Sequence, residues 1–142
     1  TTAQDLVDSW IVGNPPFGDI MKAAGNNSVF PSQQSALEQI IEGMSIILDE
    51  VANGKIADPF DNQDVEAVES QFSFNSRQDF ADDIRSVQNV YLGNNPLVGS
   101  TGTGLNDLIA QTNPALATQM EQEIQNAINA ILAIPQPFRD AI

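Results

Sequence analysis

Neither cysteine nor histidine occurs among the 142 residues. The first absence excludes a disulfide framework, a thiolate nucleophile and a zinc–thiolate site. The second leaves Ser70, Ser73 and Ser76 without the imidazole that activates a serine nucleophile. Cations are scarce as well: 5 Lys and Arg stand against 19 Asp and Glu, a formal net charge of −14. A nucleic-acid backbone or an anionic membrane surface would repel such a chain, which argues against both as partners. The acidity reflects missing Lys and Arg more than surplus carboxylate. Charged residues make up 17% of the chain, against roughly 25% in average soluble domains, and Asn, Gln and Ser supply the polar surface instead. No apolar run approaches the roughly 20 residues needed to cross a bilayer, so no transmembrane segment is expected. No convincing period-2 segment and no internal repeat of 20–50 residues is visible either.

What is present is helical. Residues 33–53 carry Leu37, Ile40, Ile41, Met44, Ile47, Leu48 and Val51 at helical spacing, with Ser32 as N-cap and Gly54 as the expected stop. Gly43 inside this helix predicts a close helix–helix approach. Asn113 with Pro114 at the first helical position opens a second long helix, whose inward stripe is Leu116, Met120, Ile124, Ala127, Ile128 and Ile131. Shorter helices are predicted over 3–12, with Leu6, Val7, Trp10 and Ile11 inward, after Phe17, and over 104–111. The run 94–104, NNPLVGSTGTG, is a breaker. Residues 55–74 predict a loop with a helical turn at 63–70, laid over the bundle through Phe60, Phe72 and Phe74; a structureless stretch this long is a candidate site. The expected fold is all-α, a helical bundle forming one domain over 1–142.

The stretch at 69–93, ESQFSFNSRQDFADDIRSVQNVYLG, organises the rest. It predicts an aromatic loop entering a third long helix, with Asn75 or Ser76 accepting from the first-turn amides, Asp79 near the positive dipole end and Gly93 as a left-handed stop. Phe80, Ile84, Val87 and Tyr91 mark one apolar face. This stretch, the Gly-Leu-x-x-Leu turn at 104–108 and the segment AINAILAIPQPFRDAI at 127–142 resemble, in order, the C-terminal half of an imelysin-like protein. That family is grouped as the M75 peptidases and associated with bacterial iron uptake. The most specific pieces are IRSVQNVYLG and AIPQPFRDAI.

The resemblance implies half of a two-bundle fold. It implies a complementary N-terminal half bearing a Gly-x-His-x-x-Glu motif, in which His and Glu one helical turn apart share a metal or a proton. It implies export to the periplasm or the outer membrane, and action in iron acquisition by binding a metal or ligand where the halves meet. The start at Thr1-Thr2, without an initiator Met, is the one expected of a processed or trimmed product or of one piece of a longer chain. The resemblance also implies alternatives: an M75-type metallopeptidase once both halves assemble, or a non-catalytic interaction bundle. Whether the chain is an enzyme stays open, and so does its cofactor, a divalent metal or iron in the assembled protein.

Several side chains are candidates for that site. Arg85, Asn89 and Tyr91 lie on the third helix, and Glu69 and Ser73 on the loop before it; the recurring family pattern ESxFS and IRSxxNVYxG includes all five. Arg85 would pair structurally with Glu69 or Asp82, or bind a carboxylate ligand through its planar fork. Tyr91 is equally readable as a core aromatic with a satisfied hydroxyl. Glu38 and Glu42, at i and i+4, form half a carboxylate metal site or a solvated helix face. Asp58, Asp61, Asp64, Glu66 and Glu69 have a calcium-loop composition without the EF-hand spacing.

Overall fold

The computed structural model describes residues 2–96 and 99–142. Thr1 and, from the breaker run, Leu97 and Val98 lie outside the described residues. The chain divides into two compact units, Thr1–Met44 and Ser45–Ile142.

The first unit opens on helix α1 (Ala3–Val7), capped by Thr2 and Asp5 in a reciprocal box, and passes into a wide π-type turn, Asp8–Val12. After the Gly13–Pro16 break comes α2 (Phe17–Lys22). Leu6, Val7, Trp10 and Ile11 do not turn inward as expected; all four are exposed. Trp10 nevertheless lies edge-on to Phe17, with ring centroids 4.9 Å apart. The unit's core is small: Ala24, Phe30 and Ala36, with Phe17, Ile20 and Met21 packed against them. Asn27 closes the loop over it. Its amide donates to the Ile20 and Ala23 carbonyls and accepts from the Val29 and Phe30 amides.

Helix α3 (Gln33–Asp49) begins as predicted, with Ser32 Oγ accepting from the Ser35 amide at 3.0 Å. It does not end at Gly54. A wide-turn segment, Glu50–Ala57, carries the helical path into α4 (Asp58–Asn62), and the stop is Gln63 in the left-handed region, φ 51°. Bonds in the wide turn reach back five residues, Asp58 N–H to the Asn53 carbonyl. Pro59 has no N–H to offer and sits where the register returns to four, so the proline rides through rather than breaking the helix. Residues 63–70 form turns, not the predicted helical turn.

Of the expected stripe only Val51 is fully buried; Leu37, Ile40, Met44 and Ile47 are half-buried, Ile41 and Leu48 are exposed, and Ala36, outside the stripe, is buried instead. A Cβ built on Gly43 meets nothing within 4 Å. The predicted close approach at Gly43 is therefore absent among the described residues, and the glycine keeps only its entropic cost. Gly43→Ala should raise the unfolding free energy by about 0.5–1 kcal/mol, read as a higher urea midpoint; a lower midpoint would show that something does approach.

The second unit is a helical bundle of α5 (Ser76–Leu92), α6 (Leu105–Ala110) and α7 (Pro114–Leu132), followed by a short 3-10 turn at Phe138–Asp140. The predicted face of α5 is buried throughout: Phe80, Ile84, Val87 and Tyr91, joined by Ala81. It packs against α7 through Ala117, Ile124, Ile128 and Ile131. Leu116 is exposed, because Ala117 takes the inward position beside Tyr91. Asn113 caps α7 as expected, accepting from the Leu116 amide. Gly93 ends α5 in the left-handed region, φ 66°. Within the breaker run, Asn94–Asn95 (β1) and Ser100–Thr101 (β2) form a two-residue antiparallel ladder, the one departure from an all-α fold among the described residues.

Candidate functional site

The N-terminus of α5 differs from its predicted capping. Neither the Asn75 nor the Ser76 side chain accepts a bond from the first-turn amides; both side chains donate. Ser76, 2% exposed, donates Oγ–H to the Glu69 carbonyl at 2.5 Å, and Asn75 Nδ2 donates to Asp79 Oδ1 at 2.6 Å. Asp79 Oδ2 also accepts from Ser70 Oγ at 2.5 Å. One carboxylate in the positive first turn of α5 thus ties down the loop before it. That loop holds two non-glycine residues in the left-handed region, Ser70 and Phe74, both at φ 57°. For a bulky side chain such a backbone costs on the order of 1–3 kcal/mol and persists only where its surroundings over-determine it. The surroundings do so here. Besides Asp79, Arg139 Nη1 donates to the Gln71 carbonyl at 3.2 Å, and its guanidinium lies 5.9 Å from the centre of the Phe74 ring.

The loop does not lie over the bundle through its phenylalanines. Phe60, Phe72 and Phe74 are 54%, 81% and 54% exposed. The burial assigned to them is done by Val68 and Pro59.

Glu69 is held by Lys55, not by Arg85. Lys55 Nζ donates to Asp83 Oδ2 at 2.9 Å and lies 3.0 Å from Glu69 and 3.6 Å from Glu50. The Asp83 hydrogen bond first, then the Glu69 bond, push the ammonium well above its ordinary 10.5, against a burial that pulls the other way. This lysine locks the wide-turn segment, the loop and α5 together, the role expected of Arg85. Because the folded value is raised, the stabilisation is fully present below the unfolded value and fades only as pH rises through the folded one, far into alkali. Lys55→Met should cost about 1–3 kcal/mol, from lost charge-assisted bonds and three carboxylates left facing one another. The deficit should be the same at about pH 7 and about pH 9 in urea unfolding; a gap that closes between them would place the lysine's titration much lower.

Arg85 pairs with Asp82 across one turn of α5, Nη1 to Oδ1 at 2.6 Å, with both side chains substantially exposed. Hydrogen bonds from Gln78 and then Arg85 hold the Asp82 carboxyl below its ordinary range. Ser73 Oγ donates to the Ser70 carbonyl on the exposed loop. Tyr91 is fully buried and donates its hydroxyl to the Ala117 carbonyl at 2.9 Å, and burial raises its phenol above 10.0. It is therefore a core residue that offers no surface to a ligand. Asn89, half-buried, lines an open groove of about 400 Å³ at the end of α5 with Ser86, Val90, Asn94, Asn95 and Pro96. Arg77 and Arg139 were not candidates from sequence. Arg77 Nη1 donates to the Leu132 and Ile134 carbonyls, closing the C-terminus of α7, where a cation is favoured. Their signal was scarcity alone, since they are two of five cations.

Among the described residues no three His, Cys, Asp or Glu side chains are placed to hold a metal ion. Carboxylates do converge, but on Lys55, whose ammonium stands where a cation would have to sit. Glu38 and Glu42 bond instead to Gln34 and Gln39. Among the described residues the donors by themselves do not fit a metal.

This is an acidic helical framework in which each of the five cations is held by a carboxylate or a carbonyl. The chain belongs to the imelysin family: the family's profile, described as Peptidase_M75: Imelysin, matches residues 1–142. It is 31% identical over 139 residues to a protein of Synechococcus elongatus called iron-regulated protein A, spanning 96% of this chain and 39% of that one. Its fold matches an imelysin peptidase from Bacteroides ovatus with a TM-score of 0.87 and 33% identity, over 98% of this chain and 42% of the other. A putative iron-regulated protein A precursor from Parabacteroides distasonis matches with a TM-score of 0.85 and 31% identity, over 97% and 44%. The chain thus spans about two-fifths of the length of these relatives. No helix among the described residues is long and apolar enough to cross a membrane.

Proposed function

We propose that the chain is the C-terminal half-bundle of an exported bacterial imelysin-like protein, acting in iron acquisition by binding a metal or ligand together with a complementary segment that carries a Gly-x-His-x-x-Glu motif. The supporting observation is that nearly the whole chain matches, in family and fold, about two-fifths of relatives that include proteins named for iron regulation. That both compact units belong to this one half, and that the protein works in the periplasm or at the outer membrane, are parts of the same proposal. Each unit also exposes apolar side chains that a further segment would cover: Leu6, Trp10 and Ile11 in the first, Phe60, Phe72 and Val90 in the second. Glu69, Ser73, Arg85 and Asn89 are the accessible candidates for ligand contact; Tyr91 is buried and supports the bundle instead.

The test is retention of iron, offered as ferric citrate in equilibrium dialysis, by this chain alone and by the chain co-expressed with a His-bearing imelysin segment. Retention by the pair only, lost in Arg85→Ala, supports the proposal. Retention by neither, or equally by the chain alone, overturns it. Metal-dependent cleavage of a peptide by the pair would reassign the protein as an M75-type metallopeptidase. Arg85→Ala suits this use because its exposed pair with Asp82 contributes no more than about 1 kcal/mol, so circular-dichroism melting should be nearly unchanged; a large drop in melting temperature would show a structural role instead.

A further inference from the structure

The loop entering α5 is fixed at both ends and strained between them. Val68 is buried on one side of it, Ser76 and Phe80 on the other. In between, the backbone enters the left-handed region twice, at Ser70 and at Phe74. Neither is a glycine or an asparagine, the types that take up this conformation at least cost. The Phe74 amide donates to the Ser70 carbonyl at 3.0 Å, which closes the stretch into one turn. The two strained residues therefore bracket Gln71, Phe72 and Ser73, as the two journals of a crank bracket its arm. Packing does little to hold that arm, since the Phe72 and Phe74 rings are both largely in solvent.

What holds it comes from two distant elements. Asp79, in the first turn of α5, accepts from Ser70 Oγ at one hinge. Arg139, beyond α7, donates to the Gln71 carbonyl and lays its guanidinium by the Phe74 ring at the other. Arg139 is itself aimed by its neighbour, because Phe138 is buried edge-on against Phe80. Room for movement is at hand. Phe74 borders an open cavity of about 360 Å³ whose far side is Gln136 and Pro137, in the same segment that carries Arg139. A turn strained at both ends, lightly buried, tied from two remote elements and bordered by free volume is built like a two-position element.

We propose that residues 70–74 are a strap with a closed and an open position. In the closed one Asp79 and Arg139 hold the strain. In the open one Ser70 and Phe74 relax into ordinary backbone, and the arm carries Phe72 and Ser73 to a new place. Arg139 is the lever through which the segment after α7 governs the strap, so anything that displaces this segment or competes for its guanidinium opens it. The strap stands on backbone geometry; only its consequence for ligand contact, through Ser73, rests on the function proposed above.

The test is limited chymotrypsin digestion of the whole folded chain, read by mass spectrometry as cleavage after Phe72 or Phe74 divided by cleavage after Phe60. Phe60 is as exposed as Phe74 but lies on α4, outside the strap, so the ratio cancels global unfolding. Where opening is fast relative to cutting, cleavage follows the population of the open state. Arg139→Met and Asp79→Asn each remove a charge-assisted tie and should raise the ratio about tenfold or more. Arg139→Lys, which keeps a cation and a donor, should restore most of the protection. Ser70→Ala, too small a change to unfold the protein, should move the ratio in the same direction as Asp79→Asn. A ratio that stays at the wild-type value in these variants, or Arg139→Lys behaving like Arg139→Met, would overturn the inference. The digestion contains neither iron nor the complementary segment, so its failure leaves the iron-retention test standing, and a failure of retention leaves the strap.

Discussion

Gly104→Ala should abolish cooperative folding of the second unit or cost more than about 4 kcal/mol, the range reserved for clashes that the backbone must move to relieve. A Cβ at Gly104 would stand 2.3 Å from the Tyr91 carbonyl oxygen and 2.5 Å from the Leu92 carbonyl carbon. Both are backbone atoms of α5's last turn and cannot rotate aside as a side chain would. The strain would also reach the capping of α6, where Asp107 accepts from the Gly104 amide at 2.9 Å, and the neighbouring Gly93, whose own Cβ would meet the Gly102 oxygen at 2.6 Å. Two glycines therefore let the chain leave α5 and enter α6 through one point. Loss of the unfolding transition in urea, monitored by circular dichroism, is the expected result. A variant within about 1 kcal/mol of wild type would mean that this crossing has slack.

Phe80→Ala should cost about 3–5 kcal/mol, since its side chain is fully buried and its loss leaves a cavity that the packed helices fill only in part. Its ring meets that of Phe138 edge-on, with centroids 5.6 Å apart. Phe138 belongs to the segment after α7, so Phe80 fastens the chain's last turn to the middle of the bundle. Against a total stability of about 5–15 kcal/mol the loss is large. The double variant with Phe138→Ala should be less destabilised than the sum of the singles by about 0.5–1.5 kcal/mol, the worth of an aromatic pair beyond its area. Strict additivity would show that the rings do not support one another.

The helices of the second unit were legible because their signals are local. Phe80, Ile84, Val87 and Tyr91 repeat at helical spacing, Gly93 stops the helix, and Asn113-Pro114 starts the next. Periodicity tells which residues share a face but not how deep that face lies. On α3 the same periodicity led to an inward stripe, and the structure leaves Ile41 and Leu48 exposed. The stop at Gly54 was misread for a related reason. A glycine ends a helix only where the backbone turns left-handed, and the wide-turn segment kept it helical. The candidate site was legible as a stretch and not as a set of partners. Arg85 was expected to pair with Glu69 or Asp82 and joins Asp82, whereas Glu69 joins Lys55, a partner that the sequence did not suggest. The Lys55 contacts span fourteen residues to Glu69 and twenty-eight to Asp83, distances along the chain for which no spacing rule exists.

By itself, the order of residues determined the class of fold, the family, and what this chain lacks: without histidine or cysteine, and with five cations, its chemistry was bounded from the start. Those properties follow from composition and from spacings within one or two helical turns. The tertiary structure alone decided which polar groups are spent and which remain. It placed the Tyr91 hydroxyl on a carbonyl of α7, surrounded Lys55 with carboxylates, and set Arg77 on the carbonyls that close α7. A side chain's availability depends on what long-range packing brings within about 3 Å of it, and that distance is set by the fold as a whole.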